Sequence, residues 1–283
     1  MKSKRIIEYL KGMKLQSSLI IASGIFLGLA LAQDSIFIPL PKFIILYVIF
    51  GVGCSGGAQI LNRIFDLKID KIEHPERGLP KKILTKQDML KFAVFLLFIP
   101  FLSIFINWKI FVLVLIGLIF GILYSENKFK LGRKWYTSYF LLSFGYILIP
   151  ILAGWLIIKD LNFFILKIAF FFTLIALPIT SLRDISDMKG DRKYGKASLP
   201  VKIGIKNTIL FSPMFSFIIF LIFLVGFKFY LLRNFFKYLA TIIILFIPLS
   251  FYILKNPKRK INFTILEVFG FLCEILFVWW LIW

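Results

Sequence analysis

The sequence predicts an all-α integral membrane protein, nine transmembrane helices in one bundle. Three observations carry that prediction. Of the 283 residues, 60% are hydrophobic and 18% aromatic, and the mean hydropathy is +0.90; soluble domains are only about half apolar. Nine apolar segments follow one another, most close to the roughly 20 residues that cross a bilayer. The Lys and Arg residues gather in alternate loops. No long polar linker divides the chain, so residues 1–283 are expected to form a single domain.

The first segment, 16–33, resembles a secretory signal because "ALA" at 30–32 imitates a cleavage site. The residues before it are too many for a signal n-region, and a retained span is expected. The second, 43–64, carries the small, slightly polar run "GCSGGAQ" (53–59), which reads as close helix packing or as the floor of a chamber. Segments three and four, 90–106 and 110–125, lead into "YSENKFK". Segments five to eight cover 136–158, 162–182, 208–226 and 236–254. Pro150, Pro178, Pro213 and Pro248 in or near them mark kinks. The ninth, 264–282, holds Glu267 and Glu274 on one face, where pairing and function compete as readings.

With the N-terminus and every second loop on one side, that side holds 28 of the 35 basic residues. This is the asymmetry of cytoplasmic loops, so the N-terminus is expected inside and Trp283 outside. The formal charge of +21 is then a topology signal directed at anionic lipid headgroups, and nucleic acid is not an expected partner. Cys54 and Cys273 lie in apolar stretches and read as core residues. His74 is the only histidine, which excludes a multi-histidine metal site. Any metal must be held by oxygen, favouring Mg²⁺, Mn²⁺ or Ca²⁺.

Ten of the fourteen acids fall on the basic side, concentrated after segments two and six. The first stretch occupies 62–82, with Asn62, Asp66 and Asp70 four apart. The second occupies 183–202, with Asp184, Asp187 and Asp191 spaced three and four. In a continuous helix each set shares one face. Both run from Asp and a base to Leu-Pro-x-Lys, at Leu79-Pro80 and Leu199-Pro200, which reads as an internal repeat whose helix ends face each other. Crowded carboxylates require a neutralising cation. Two acidic faces among Arg63, Arg77, Lys128, Arg183, Arg192 and Lys193 suit Mg²⁺ bridging a diphosphate.

These residues resemble the UbiA superfamily of intramembrane prenyltransferases. Asn62, Asp66 and Asp70 match its first acidic motif, Asp184, Asp187 and Asp191 its second. Tyr124 and Lys128 match its Tyr-x-x-x-Lys motif, and "HPERGLP" and "GDRKYGKASLP" its trailing sequences. Many members have Asp after the motif Asn, where this chain has Arg63. The resemblance implies a nine-helix bundle around a central cavity and transfer of a prenyl group from a prenyl diphosphate to a lipophilic acceptor. It implies two Mg²⁺ ions, one on Asn62, Asp66 and Asp70 and the other on Asp184, Asp187 and Asp191. Catalytic roles then fall to Asp66, Asp70, Asp187, Asp191, Tyr124 and Lys128. Substrate binding falls to Asn62, Arg63, Arg77, Arg183, Arg192 and Lys193. The acceptor stays open among an ether-lipid glycerol phosphate, a quinone precursor and a chlorophyllide-like ring. The competing reading is a cation-coupled transporter, which would place its acids nearer mid-membrane.

Overall fold

The computed structural model describes residues 2–14, 18–125, 131–185 and 187–226, with scattered positions between 244 and 277. Among the residues described through 226, the main helices in order are α1 Lys2–Gly12, α2 Ser18–Gln33, α3 Leu40–Phe65, α4 Leu67–Glu73, α5 Lys86–Phe105, α6 Trp108–Ser125, α7 Trp135–Leu156, α8 Phe163–Ile185, α9 Met188–Lys193 and α10 Leu199–Gly226, the last interrupted at Gly204 (φ 81°, ψ 164°). Among the described residues the one β contact is an isolated bridge between Lys134 and Ala197.

Helices α3, α5, α6, α7 and α8 are long and apolar enough to cross a bilayer. The 16-residue α2 is apolar but shorter. Helix α10 bends by 42° between Leu199–Ser212 and Met214–Phe223, at the expected Pro213 kink, and counts as a sixth span if taken whole. The expected spans at 236–254 and 264–282, with Pro248, Glu267 and Glu274, lie outside the described residues apart from scattered positions.

Local chemistry sets the helix ends. Thr85 and Asp88 form a reciprocal capping box that starts α5, satisfying two otherwise orphaned donors. The Asn162 side chain accepts from the Ile165 amide at the start of α8. Pro178 stands near the end of that helix, whose last turn, Thr180–Ile185, tightens to 3-10 geometry. Two helices widen instead. Residues Tyr47–Gly56 of α3 and Phe144–Leu148 of α7 are π-helical.

The core lies between α2 and α7. A Cβ on Gly28 would sit 2.1 Å from the Ile151 carbonyl oxygen, and one on Gly154 would sit 2.4 Å from that of Ile25. The two backbones therefore touch, the packing small residues allow where there is no water to expel. Ile25, Leu29, Ile110, Ile151 and Ile165 are buried around this contact. Phe98, Phe105, Phe163 and Ile222 are exposed, an apolar surface suited to lipid. At one end, Lys109 pairs with Asp160 and Lys159 with Asp34. The acidic stretches occupy the other.

Candidate active site

Neither acidic set lies on one continuous helix. The chain breaks at Asp66 (φ −89°, ψ 13°) and at Asp187 (φ −101°, ψ 7°). This corrects the single-helix expectation, yet the spacing survives. The Asp66 amide still donates to Asn62 O and that of Asp70 to Asp66 O, both at 2.8 Å, and the Asp191 amide to Asp187 O at 3.0 Å. Each stretch thus joins a span end to a short helix, and α4 packs against α9.

The carboxylates are gripped by cations of the chain itself. Arg77 forms an ion pair with buried Asp70. Lys196 reaches Asp184 Oδ1 at 3.6 Å and Asp191 Oδ1 at 3.4 Å. Tyr139 donates its hydroxyl to Asp184 Oδ2 at 3.0 Å and accepts from the Leu199 amide at 3.2 Å. His74 Nε2 meets Asp187 Oδ1 at 3.3 Å, tying the first stretch to the second.

Charge and burial compete at each group. Burial pushes the Asp66 carboxyl up, opposed by Lys196, Lys14 and a hydrogen bond with Asn62. Burial likewise raises Asp191 to about 6. At Asp187 burial is outweighed by the His74 hydrogen bond and by Lys14, Lys196 and Arg183, which together hold it well below the usual carboxylate range. Lys196 is half-buried, which opposes its charge, but Asp184 and Asp191 hold it firmly protonated. Lys14 goes the other way: burial, then Arg183 and Arg77, lower it to about 7. Two acidic stretches and the end of α1 therefore share one electrostatic field.

The expected substrate-binding residues divide. Arg77 and Arg183 belong to this field, Arg183 within reach of Tyr124, Asp184 and Asp187. Arg63 is buried and donates to the Lys11 carbonyl at the end of α1. Arg192 and Lys193 are exposed on α9, so the structure does not bring them into the cluster. Lys128 lies outside the described residues. Reasoning from sequence missed Lys14, Tyr139 and Lys196 and read His74 only as an exclusion. Lys196 had a signal in "YGKASLP", where Gly195 at φ 71° turns the chain back so that the Lys196 amide reaches Asp191 O at 2.8 Å. Tyr139 had none.

Among the described residues no three His, Cys, Asp or Glu side chains form a ready metal cage. The donors still fit Mg²⁺. They are all oxygen, and Asp191 Oδ2 is buried without a donor in hydrogen-bonding geometry. An ion that shares its coordination with phosphate and water takes only one or two carboxylates.

From Asn62 and Tyr124 an open cavity runs inward between α2, α3, α6 and α7. Phe50, Phe120, Leu141 and Ile149 give it apolar walls, and Ser55, Gln59 and Tyr146 a polar spot. The run 53–59 thus does both things expected of it: Gly53 packs on Pro100, while Ser55 and Gln59 face the chamber.

The model of the UbiA prenyltransferase family matches residues 21–281. The digeranylgeranylglyceryl phosphate synthase of Methanocaldococcus jannaschii is 27% identical over 265 residues, covering 91% of this chain and 89% of that protein. The protein of that name from Pyrococcus horikoshii is 27% identical over 182 residues, 64% of this chain and 63% of its own. The solved structure of a UbiA homolog from Archaeoglobus fulgidus bound to GPP and Mg²⁺ superposes with a TM-score of 0.69 at 17% identity, over 96% of this chain and 97% of that one.

Proposed function

Because this chain belongs to the UbiA prenyltransferase family, we propose that it transfers a prenyl group, geranylgeranyl first among candidates, from a polyprenyl diphosphate to a lipophilic acceptor in the membrane. The allylic C–O bond breaks with its electron pair passing to the diphosphate. The acceptor forms the new bond and yields its proton to the departing anion. The observation that carries this reading is the junction of two acidic stretches, braced by His74 and Asp187, at the mouth of an apolar cavity that starts at Asn62. The acids stand at span ends beside phosphate-binding cations, which disfavours a mid-membrane transporter.

Asn62, Asp66 and Asp70 would hold one Mg²⁺ and Asp184, Asp187 and Asp191 another. When bound, the ions neutralise charge growing on the diphosphate. Lys14, Arg77, Arg183 and Lys128 hold its remaining oxygens, and Tyr124 stands where the prenyl chain enters the cavity. Phe50 and Phe120 exclude water and offer aromatic faces to a developing allylic cation, worth roughly 0.5–2 kcal/mol each. The relative matching nearly the whole chain favours an ether-lipid glycerol phosphate as acceptor. The positive-loop asymmetry supports a site on the cytoplasmic side.

Radiolabelled geranylgeranyl diphosphate with a panel of acceptors tests the reading. Labelled lipid product should form and be abolished by chelator and by Asp66→Asn. Cation-driven transport with no prenylated product sinks it.

A further inference from the structure

The polar spot in the cavity has an unfilled hydrogen bond. Gln59 Nε2 donates to the Tyr146 hydroxyl at 2.6 Å, and Ser55 Oγ donates to it at 3.2 Å. Gln59 and Ser55 are both buried. A phenol oxygen has two acceptor sites and one proton to give. With both acceptor sites occupied, the Tyr146 proton is left for a third partner, and Tyr146 lines the cavity. Burying an amide and two hydroxyls in apolar walls is costly unless their hydrogen bonds are completed.

The three residues come from or adjoin widened helix segments. Ser55 lies in the π-helical part of α3, with Gln59 just beyond it, and Tyr146 lies in that of α7. Such segments are rare and frequent at functional sites. Gln59 and Ser55 stand one and two turns inward of Asn62, roughly 5 and 10 Å along the axis at 1.5 Å per residue. Tyr146 also lies within the electrostatic reach of Arg183. The spot is therefore next to the diphosphate site but on its membrane side, where the atom attacking the prenyl carbon must come from.

We propose that Tyr146 donates a hydrogen bond to the hydroxyl oxygen of the acceptor, with Gln59 and Ser55 as positioning residues that keep its proton pointed into the cavity. The oxygen accepts from Tyr146 through one lone pair; in an alcohol acceptor its other lone pair faces the prenyl carbon, and in a phenol the ring carbon beside the hydroxyl does. The occupant is a lipophilic molecule with a hydroxyl at its reacting end. This inference rests on the prenyl-transfer reading above.

The test uses the purified full chain, geranylgeranyl diphosphate, and whichever of geranylgeranylglyceryl phosphate and 4-hydroxybenzoate it prenylates. Tyr146→Phe should raise the acceptor KM about tenfold, the size of one lost hydrogen bond, with the KM for prenyl diphosphate unchanged. An acceptor analogue with hydrogen in place of the hydroxyl should inhibit the wild type about tenfold less well than the parent binds, and Tyr146→Phe should not distinguish the two. If Tyr146→Phe also loses prenyl diphosphate binding, Gln59→Leu decides: a raised acceptor KM supports the assignment and an unchanged one overturns it. Wild-type transfer with equal acceptor KM in Tyr146→Phe defeats the assignment alone. Absence of product from the wild type with every acceptor defeats prenyl transfer itself.

Discussion

His74 and Asp187 meet ring to carboxylate, Nε2 to Oδ1 at 3.3 Å, across 113 positions of chain. The contact belongs to both acidic stretches and holds α4 against α9. Hydrogen bonds to charged groups contribute about 1.5–3 kcal/mol. His74→Ala should therefore lower kcat/KM for prenyl diphosphate at least tenfold, and His74→Gln should recover part of the loss. Steady-state kinetics with radiolabelled substrate reads both, and equal activity in all three proteins counts against a bracing role.

Lys196 and Arg192 differ sharply for two bases four residues apart. Lys196 lies between Asp184 and Asp191, and Arg192 is exposed. Removing one partner of a buried pair costs about 3–5 kcal/mol, whereas exposed substitutions usually stay within about 0.5 kcal/mol. Thermal unfolding in detergent should show a large fall for Lys196→Ala and almost none for Arg192→Ala.

Lys14 supplies the pH dependence. Its folded value is about 7 against an ordinary 10.5, so between those values the unfolded chain binds more protons and stability rises with pH. Wild-type stability should gain on that of Lys14→Met from pH 7 to pH 9. Diphosphate brings negative charge to Lys14, so binding at pH 8 should take up a proton. Titration calorimetry in buffers of different ionisation enthalpy measures that uptake, which Lys14→Met should lack.

The helix contact at Gly28 makes a paired prediction. An added Cβ there meets the Ile151 carbonyl, a backbone atom that cannot swing aside, whereas one on Gly145 meets nothing within 4 Å. Overpacking usually costs about 1–3 kcal/mol. Gly28→Val should unfold well below the wild type, and Gly145→Ala should match it.

Much of the fold was readable from the sequence because membrane physics is coarse. Lipid demands long apolar helices, and α3 and α5 to α8 stand where hydropathy put them. The spacing of Asp66 and Asp70, and of Asp187 and Asp191, reports real local geometry, since an i to i−4 backbone hydrogen bond joins each pair. Contacts set by tertiary approach were not readable. Arg63 looked like a phosphate ligand because it is the neighbour of Asn62, yet its guanidinium closes on the Lys11 carbonyl of α1. Lys14 looked like a topology charge until α1 brought it beside Asp187 and Arg183. Tyr139 carries no motif, and only the packing of α7 shows it holding Asp184.

The widened turns of α3 have a consequence for the rotational phase of the rest of that helix. A residue added to or removed from a helix rotates its remaining turns by about 100°. The π-helical stretch Tyr47–Gly56 thus sets the angular offset between the packing face before it and the face bearing Gln59 and Asn62 after it. Tightening one widened turn of that stretch to regular α-helix, with no residue removed, would leave the composition of the span untouched. It would turn Asn62 and Gln59 about a quarter of a revolution from the chamber, an insertion-sized change that no hydropathy profile would register.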